Sequence, residues 1–232
     1  GTNVINIYYT KRNDLSYTVN YLEKGTNKVL NTPKVKDHMI FQTVITSKDE
    51  VIKINGYNYD SVDKETLTIT TGTNVINVYY TKVTGLSYTV NYLDKDTDEV
   101  IHPSKTTGEQ VFEKEITSAD EVIDIDGYNY DSVDKATLII GTGENVINIY
   151  YTKRTDLSYK VNYLEKGTNK VLHDQKVQEN MTFKATVKSS DEVIDIDGYD
   201  YDSVDKDTLT ITTGENVINI YYTKRTDLSY KV

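Results

Sequence analysis

Leu15-Ser16-Tyr17-Thr18-Val19-Asn20-Tyr21-Leu22 decides how this chain is read. Leu15, Tyr17, Val19 and Tyr21 alternate with Ser16, Thr18 and Asn20, the period-two pattern of a strand with one buried face. The stretch returns as Leu86-Ser87-Tyr88-Thr89-Val90-Asn91-Tyr92-Leu93 and as Leu157-Ser158-Tyr159-Lys160-Val161-Asn162-Tyr163-Leu164. Leu228-Ser229-Tyr230 starts it a fourth time, each step being 71 residues. Asn3-Val4-Ile5-Asn6 recurs at Asn74, Asn145 and Asn216 with the same spacing. Three copies are therefore expected at 15–85, 86–156 and 157–227. Residues 1–14 read as the C-terminal strand of a preceding truncated repeat, and 228–232 as the start of a following one. The chain reads as a piece of a longer array.

A 71-residue period exceeds the ~20 to 47 residues of helical solenoid units and suits a small domain. Such a domain buries roughly 60% of its unfolded surface and is marginal alone. The chain has no Cys, so disulfides, thiolate metal sites and cysteine nucleophiles are excluded. Its 232 residues carry a net charge of −10, which argues against nucleic acid, whose phosphates need clustered Lys and Arg. No apolar run approaches the ~18 to 20 residues of a membrane span.

Within a copy, Lys24-Gly25-Thr26-Asn27 signals a turn and Val29-Leu30 opens a second strand. Phe41 and Ile45, with Phe112/Ile116 and Phe183/Val187, are expected to point inward. Ser47-Lys48-Asp49-Glu50 has capping-box spacing, which can open a helix of one or two turns, the alternative being that it leads straight into a strand through Ile52 and Ile54. Gly56-Tyr57 marks a turn. Leu67 and Ile69 alternate with threonines, and Val75 to Tyr80 closes the copy with Ile76, Val78 and Tyr80 on one face. Few residues separate Tyr80 from Leu86, so no flexible linker joins the copies.

The copies also check one another. All six tyrosines of a copy recur in all three, whereas net charge runs +1, −9 and −4 over 15–85, 86–156 and 157–227. A function resting on one fixed electrostatic surface would not survive such swings. Asp195-Ile196-Asp197-Gly198 begins like a calcium loop, but its Gly is misplaced for an EF-hand and the first copy has Lys53 and Asn55 there, so a solvated acidic turn is the better reading. His38, His102 and His173 are not shared by all copies and suit neither a catalytic base nor a metal ligand. With no phosphate loop and no nucleophile elbow, no enzyme, cofactor or metal is expected. Lys34, Lys105 and Lys176 correspond, as do Asn20/Asn91/Asn162 and Asn77/Asn148/Asn219, the residue types of an intramolecular Lys–Asn isopeptide bond. Tyr79, Tyr150 and Tyr221 lie opposite the apolar face of their strand. They are the candidate ligand contacts, the competing reading being that they cover a junction between copies. Tyr59, Tyr130 and Tyr201 carry the same two readings.

Tyr88-Thr89-Val90-Asn91-Tyr92-Leu93, Ile125-Asp126-Gly127-Tyr128 and Asn145-Val146-Ile147-Asn148-Ile149-Tyr150-Tyr151, in that order, resemble the MucBP (mucin-binding protein) repeat of Gram-positive surface adhesins. The likeness covers all three copies nearly end to end, although the Gly usual before the middle strand occurs only as Gly108. The resemblance implies a mainly β or α+β chain of tandem β-grasp (ubiquitin-like) domains, with first and last strands parallel, so that copies run end to end as a rod. A radius of gyration near ~17 Å, the value for a compact globule of this length, would refute the rod. It also implies an extracellular, cell-wall-attached parent whose repeats bind host mucin or glycans. The alternative is a non-binding structural stalk that projects a distal adhesive domain. In isolation the chain is expected to be monomeric.

Overall fold

The computed structural model describes residues 1–226; position 227 and the expected repeat start at 228–232 lie outside the described residues. The first copy contains β1 (Leu15–Glu23), β2 (Val29–Met39), β3 (Val44–Thr46), β4 (Tyr57–Val62), β5 (Thr66–Thr68) and β6 (Val75–Lys82). The same six recur in the middle copy as β7 (Leu86–Asp94), β8 (Val100–Gln110), β9 (Glu115–Thr117), β10 (Tyr128–Val133), β11 (Thr137–Ile139) and β12 (Val146–Lys153). The third copy holds β13 (Leu157–Glu165), β14 (Val171–Met181), β15 (Thr186–Lys188), β16 (Tyr199–Val204), β17 (Thr208–Thr210) and β18 (Val217–Lys224). Strand starts repeat at the 71-residue interval read from the sequence. The chain forms two compact units, one of residues 1–89, 105–117 and 137–146, the other of residues 90–104, 118–136 and 147 onward.

Each copy has a four-stranded sheet, ordered β2-β1-β6-β4 in the first, with β8-β7-β12-β10 and β14-β13-β18-β16 equivalent. β1 and β6 pair in parallel through six register positions, Thr18↔Val75 to Glu23↔Tyr80, and β13 and β18 do the same. β2 and β4 flank them antiparallel. This is the β-grasp strand order. A two-stranded ribbon, β3 with β5, lies beside it.

One sheet face holds the core. Tyr17, Val19, Tyr21, Ile76, Val78 and Tyr80 are buried, and Leu67, Ile69, Ile52 and Ile54 pack on them. Burying tyrosines obliges their hydroxyls to find partners. Tyr80 Oη donates to the Ile52 carbonyl at 2.9 Å and accepts from the Ile52 N–H at 3.1 Å. Tyr151 and Tyr222 hold Ile123 and Ile194 in the same way. This pair of bonds ties the connector after the ribbon to the sheet.

The expected capped helix does not form. Ser47–Glu50 is a single 3-10 turn with no side-chain cap, and among the described residues there is no α-helix. Glu50 points into the core edge, where it accepts from Tyr17 Oη at 2.8 Å and from Lys34 Nζ at 2.5 Å. A carboxylate held by a buried phenol and an ammonium is not available to cap a turn. The buried hydroxyls of Ser47, Ser118 and Ser189 have no hydrogen-bond partner among the described residues.

Two further expectations change. Residues 1–14 form no strand and are exposed; the closing strand of a complete copy lies between two partners, whereas this segment is met at Arg12, whose carbonyl accepts from the Phe41 N–H at 2.8 Å. Phe112 and Phe183 do more than point inward, because each also reaches the preceding copy. Within the first unit, Phe112 meets Tyr57 edge-on, with ring centroids 5.6 Å apart. Gly56 holds φ +78°, and a Cβ there would stand 2.2 Å from the Phe112 ring. Phe112 N–H donates to the Val83 carbonyl, and Val83 N–H to the Gly56 carbonyl, both at 2.9 Å. Glu113 accepts from Lys28, Lys82 and Tyr57. Within the second unit, Phe183 meets Tyr128 and Gly127 in the same way, and Lys184 replaces the glutamate, its ammonium 5.4 Å from the Tyr128 ring centroid. Each junction is thus a Gly–Tyr socket filled by a phenylalanine.

Candidate functional site

The second face of the sheet carries alternate residues of the same strands. Leu22 pairs with Val29 on one side and Tyr79 on the other, and Tyr79 pairs with Ser61. A row Val29–Leu22–Tyr79–Ser61 therefore crosses all four strands of the first copy. Val171–Leu164–Tyr221–Ser203 repeats it in the third. In the middle copy Tyr150 stands opposite Ser132. The aliphatic flank is open: Val29, Val100 and Val171 are each about three-fifths exposed (59%, 62% and 65%). Tyr79, Tyr150 and Tyr221 are half-buried.

Beside this row runs a polar ladder. Asn20 Nδ2 donates to Asn77 Oδ1 at 2.9 Å, and Asn77 donates through its backbone and side-chain amides to the Asp63 carboxylate. Asn91–Asn148–Asp134 and Asn162–Asn219–Asp205 match it. Ser104 and Gln175 extend the ladder by donating to Asn91 and Asn162, where the first copy has Pro33. Each copy thus presents an aromatic ring with an aliphatic flank and a row of fixed amides. That surface suits an amphipathic ligand that stacks one face and hydrogen-bonds along its edge.

The two groups of tyrosines lie at different places in the fold. The junction tyrosines are Tyr57 and Tyr128, while Tyr79, Tyr150 and Tyr221 sit on the open sheet face. Sequence reasoning missed Tyr57 and Tyr128 because they follow a turn glycine; the signal was the Gly–Tyr pair recurring with Phe at a constant offset. The residue types of an isopeptide bond are not brought together in the first and third copies. Lys34 pairs in register with the inward-facing Val19, and Lys176 with Val161. Their ammonium groups meet Glu50 and Glu192 at the core face, opposite the asparagine ladders. His102 and His173 are exposed and lie edge-on to Tyr92 and Tyr163. Among the described residues no three His or carboxylate side chains converge as a metal site, and no helix is long and apolar enough to cross a membrane.

No family profile matches the chain, and no curated protein matches it. Among solved structures it is similar to domains 3-4 of the Streptococcal High Identity Repeats in Tandem (SHIRT) region of a cell surface protein. That match has 13% identity and a TM-score of 0.25, and covers 60% of this chain and 98% of that one. It is also similar to Mub-RV, at 16% identity and a TM-score of 0.22, over 91% of this chain and 99% of that one.

Proposed function

We propose that the chain is the tandem repeat region of a bacterial cell-surface adhesin, whose copies contact host mucin or glycan through the open sheet face. The observation that supports it is the recurrence of one half-exposed tyrosine, beside aliphatic and amide neighbours, on an uncovered sheet face every 71 residues. The resemblance to MucBP repeats supplies the extracellular, wall-attached setting of a Gram-positive parent. Weak contacts at fixed intervals gain strength when several engage one polymer, by factors of roughly 10² to 10⁴ where the geometry permits. The test is binding of the full chain to immobilised purified mucin, beside Tyr79→Ala, Tyr79→Ala/Tyr150→Ala and the triple variant with Tyr221→Ala. Saturable binding that weakens stepwise with each substitution supports the proposal. Binding indifferent to all three removes these tyrosines from it.

The second reading is a structural stalk that presents a distal binding domain. The Gly–Tyr socket and its phenylalanine favour it, because they fix one copy against the next without a linker. Absence of saturable mucin binding, with the fold intact, would leave this reading standing.

A further inference from the structure

Charge varies widely between the copies, yet one small constellation does not. Tyr59, Asp60, Ser61 and Lys24 recur as Tyr130, Asp131, Ser132 and Lys95, and as Tyr201, Asp202, Ser203 and Lys166. The geometry recurs as well. Asp60 accepts from Lys24 Nζ at 2.6 Å and from Ser61 Oγ at 2.7 Å. Asp131 accepts from Lys95 and Ser132, and Asp202 from Lys166 and Ser203. The lysine, then the serine, hold all three carboxyls below the ordinary carboxylate range, so they are acceptors at neutral pH. A register shift between the tyrosine and the serine, seen in all three copies, turns this segment of the edge strand outward.

The tyrosine is anchored but open. Tyr59 stands opposite Tyr80 and meets its buried ring edge-on at 6.4 Å, and Tyr130 and Tyr201 meet Tyr151 and Tyr222 at 6.2 and 6.3 Å. The rings nonetheless remain 40%, 49% and 49% exposed. In the first copy Tyr59, Asp60 and Ser61 line a groove of about 520 Å³ between β4 and the ribbon, with Lys48 and Glu65 on the far wall. That volume lies within the range of small-molecule clefts, roughly 300–1,000 Å³. The far wall differs between copies, with Ala119 and Ala136 in the middle one and Ser190 and Asp207 in the third.

A partly exposed tyrosine and an oriented carboxylate lining one groove, with an ammonium and a hydroxyl bonded to that carboxylate, match one chemistry. A pyranose stacks its C–H face on the ring, donates two vicinal hydroxyls to the carboxylate oxygens and accepts from the lysine. The fixed carboxylate opposes an anionic ligand. We infer that Tyr59/Asp60, Tyr130/Asp131 and Tyr201/Asp202 are three equivalent subsites for a neutral pyranose bearing a free vicinal diol, with Lys24, Lys95 and Lys166 as positioning residues. The inference goes beyond the proposed contact at Tyr79, Tyr150 and Tyr221 and rests only on its premise that the copies meet glycan. It uses a different set of tyrosines, on the edge strand rather than on the strand of Tyr79.

The test is NMR of the full chain with labelled tyrosine rings, titrated with methyl β-galactoside and methyl α-glucoside, and with sialic acid methyl glycoside as the anionic probe. At least one neutral sugar is expected to shift the Tyr59, Tyr130 and Tyr201 resonances saturably, with Kd on the order of 1–10 mM and sialic acid at least about tenfold weaker. Tyr59→Phe/Tyr130→Phe/Tyr201→Phe, which keeps the ring, should bind as before. The corresponding triple alanine variant should lose about tenfold or more. Should the alanine variant unfold, Asp60→Asn/Asp131→Asn/Asp202→Asn replaces it, with the same loss expected. No saturable shift by about 50 mM sugar, equal affinity for sialic acid, or undiminished binding by the folded variants overturns the subsites. If the sugars fail while mucin binding still depends on Tyr79, Tyr150 and Tyr221, only the subsites fall; if mucin binding fails as well, the adhesin reading falls with them.

Discussion

Gly56 and Gly198 form a matched pair for measuring what a junction contributes. Their backbones are nearly the same, with φ +78° and +77°, but a Cβ on Gly56 would stand 2.2 to 2.4 Å from the Phe112 ring, whereas one on Gly198 meets nothing within 4 Å among the described residues. Gly198→Ala should therefore cost only the left-handed backbone penalty, about 1–2 kcal/mol. Gly56→Ala carries that penalty and an overpacking cost of about 1–3 kcal/mol more, because the ring must leave its socket. The ring cannot move without disturbing the Phe112 N–H to Val83 bond. Native-state amide exchange at Phe112 and Val83 is thus the direct assay. Gly56→Ala should accelerate exchange there by roughly fivefold to a hundredfold beyond the effect of Gly198→Ala on its own neighbourhood, the Arg225 N–H that bonds Gly198 included. Equal effects of the two substitutions, or unchanged exchange at Phe112, would refute the account of the junction as a packed socket.

Other consequences are simpler to test. Tyr222→Phe removes the hydroxyl that bridges Ile194 N–H and C=O, and should cost about 2–4 kcal/mol in urea unfolding of the full chain. Burial raises the Glu50 carboxyl, but the Lys34 and Tyr17 hydrogen bonds outweigh it and leave it below its ordinary 4.5. Its stabilisation is present above that value and is lost as pH falls from there through the lower native pKa, so acid unfolding of the first copy should set in below the ordinary 4.5 and be blunted in Glu50→Gln. Burial, reinforced by Glu50, pushes the Tyr17 hydroxyl up to about 12. That contribution is complete below pH 10 and disappears as pH rises through about 12, to be followed by tyrosinate absorbance against circular dichroism. Glu113→Gln should weaken the first junction by no more than about 1 kcal/mol, since Glu113 and its lysines are partly exposed. Exchange at Phe112 should report the loss, with Phe183 unaffected.

Much of the fold was legible because each copy states its pattern three times. The alternation in Leu15–Leu22 and in Val75–Tyr80 exposes a buried and an open face, and those two strands are the central parallel pair. Tyr57–Val62 was less legible: an edge strand with a bulge breaks the period-two signal, so only its leading Gly–Tyr stood out. Ser47–Glu50 misled for a tertiary reason. Local spacing favours a cap, but Tyr17 and Lys34 lie 33 and 16 residues from Glu50 in sequence and claim its carboxylate. Phe112 shows the same limit, since its junction partner Gly56 belongs to the preceding copy. For the candidate site, the strand face of Tyr79 was readable from parity alone. Its aliphatic and amide neighbours come from two other strands, and that register is set by the turns between them.

The parallel pairing of β1 with β6, and of β13 with β18, has a mechanical consequence. The chain enters such a copy at one end of the central pair and leaves it at the other. A pull along the chain therefore acts along the two strands in opposite directions and loads all six register positions together, in shear. A hairpin pulled from its open end would instead release them one at a time. Single-molecule stretching should show each complete copy yielding in one abrupt event at high force, and gradual lengthening at low force would contradict this. Such a copy holds its length under flow or traction until the whole pair gives way.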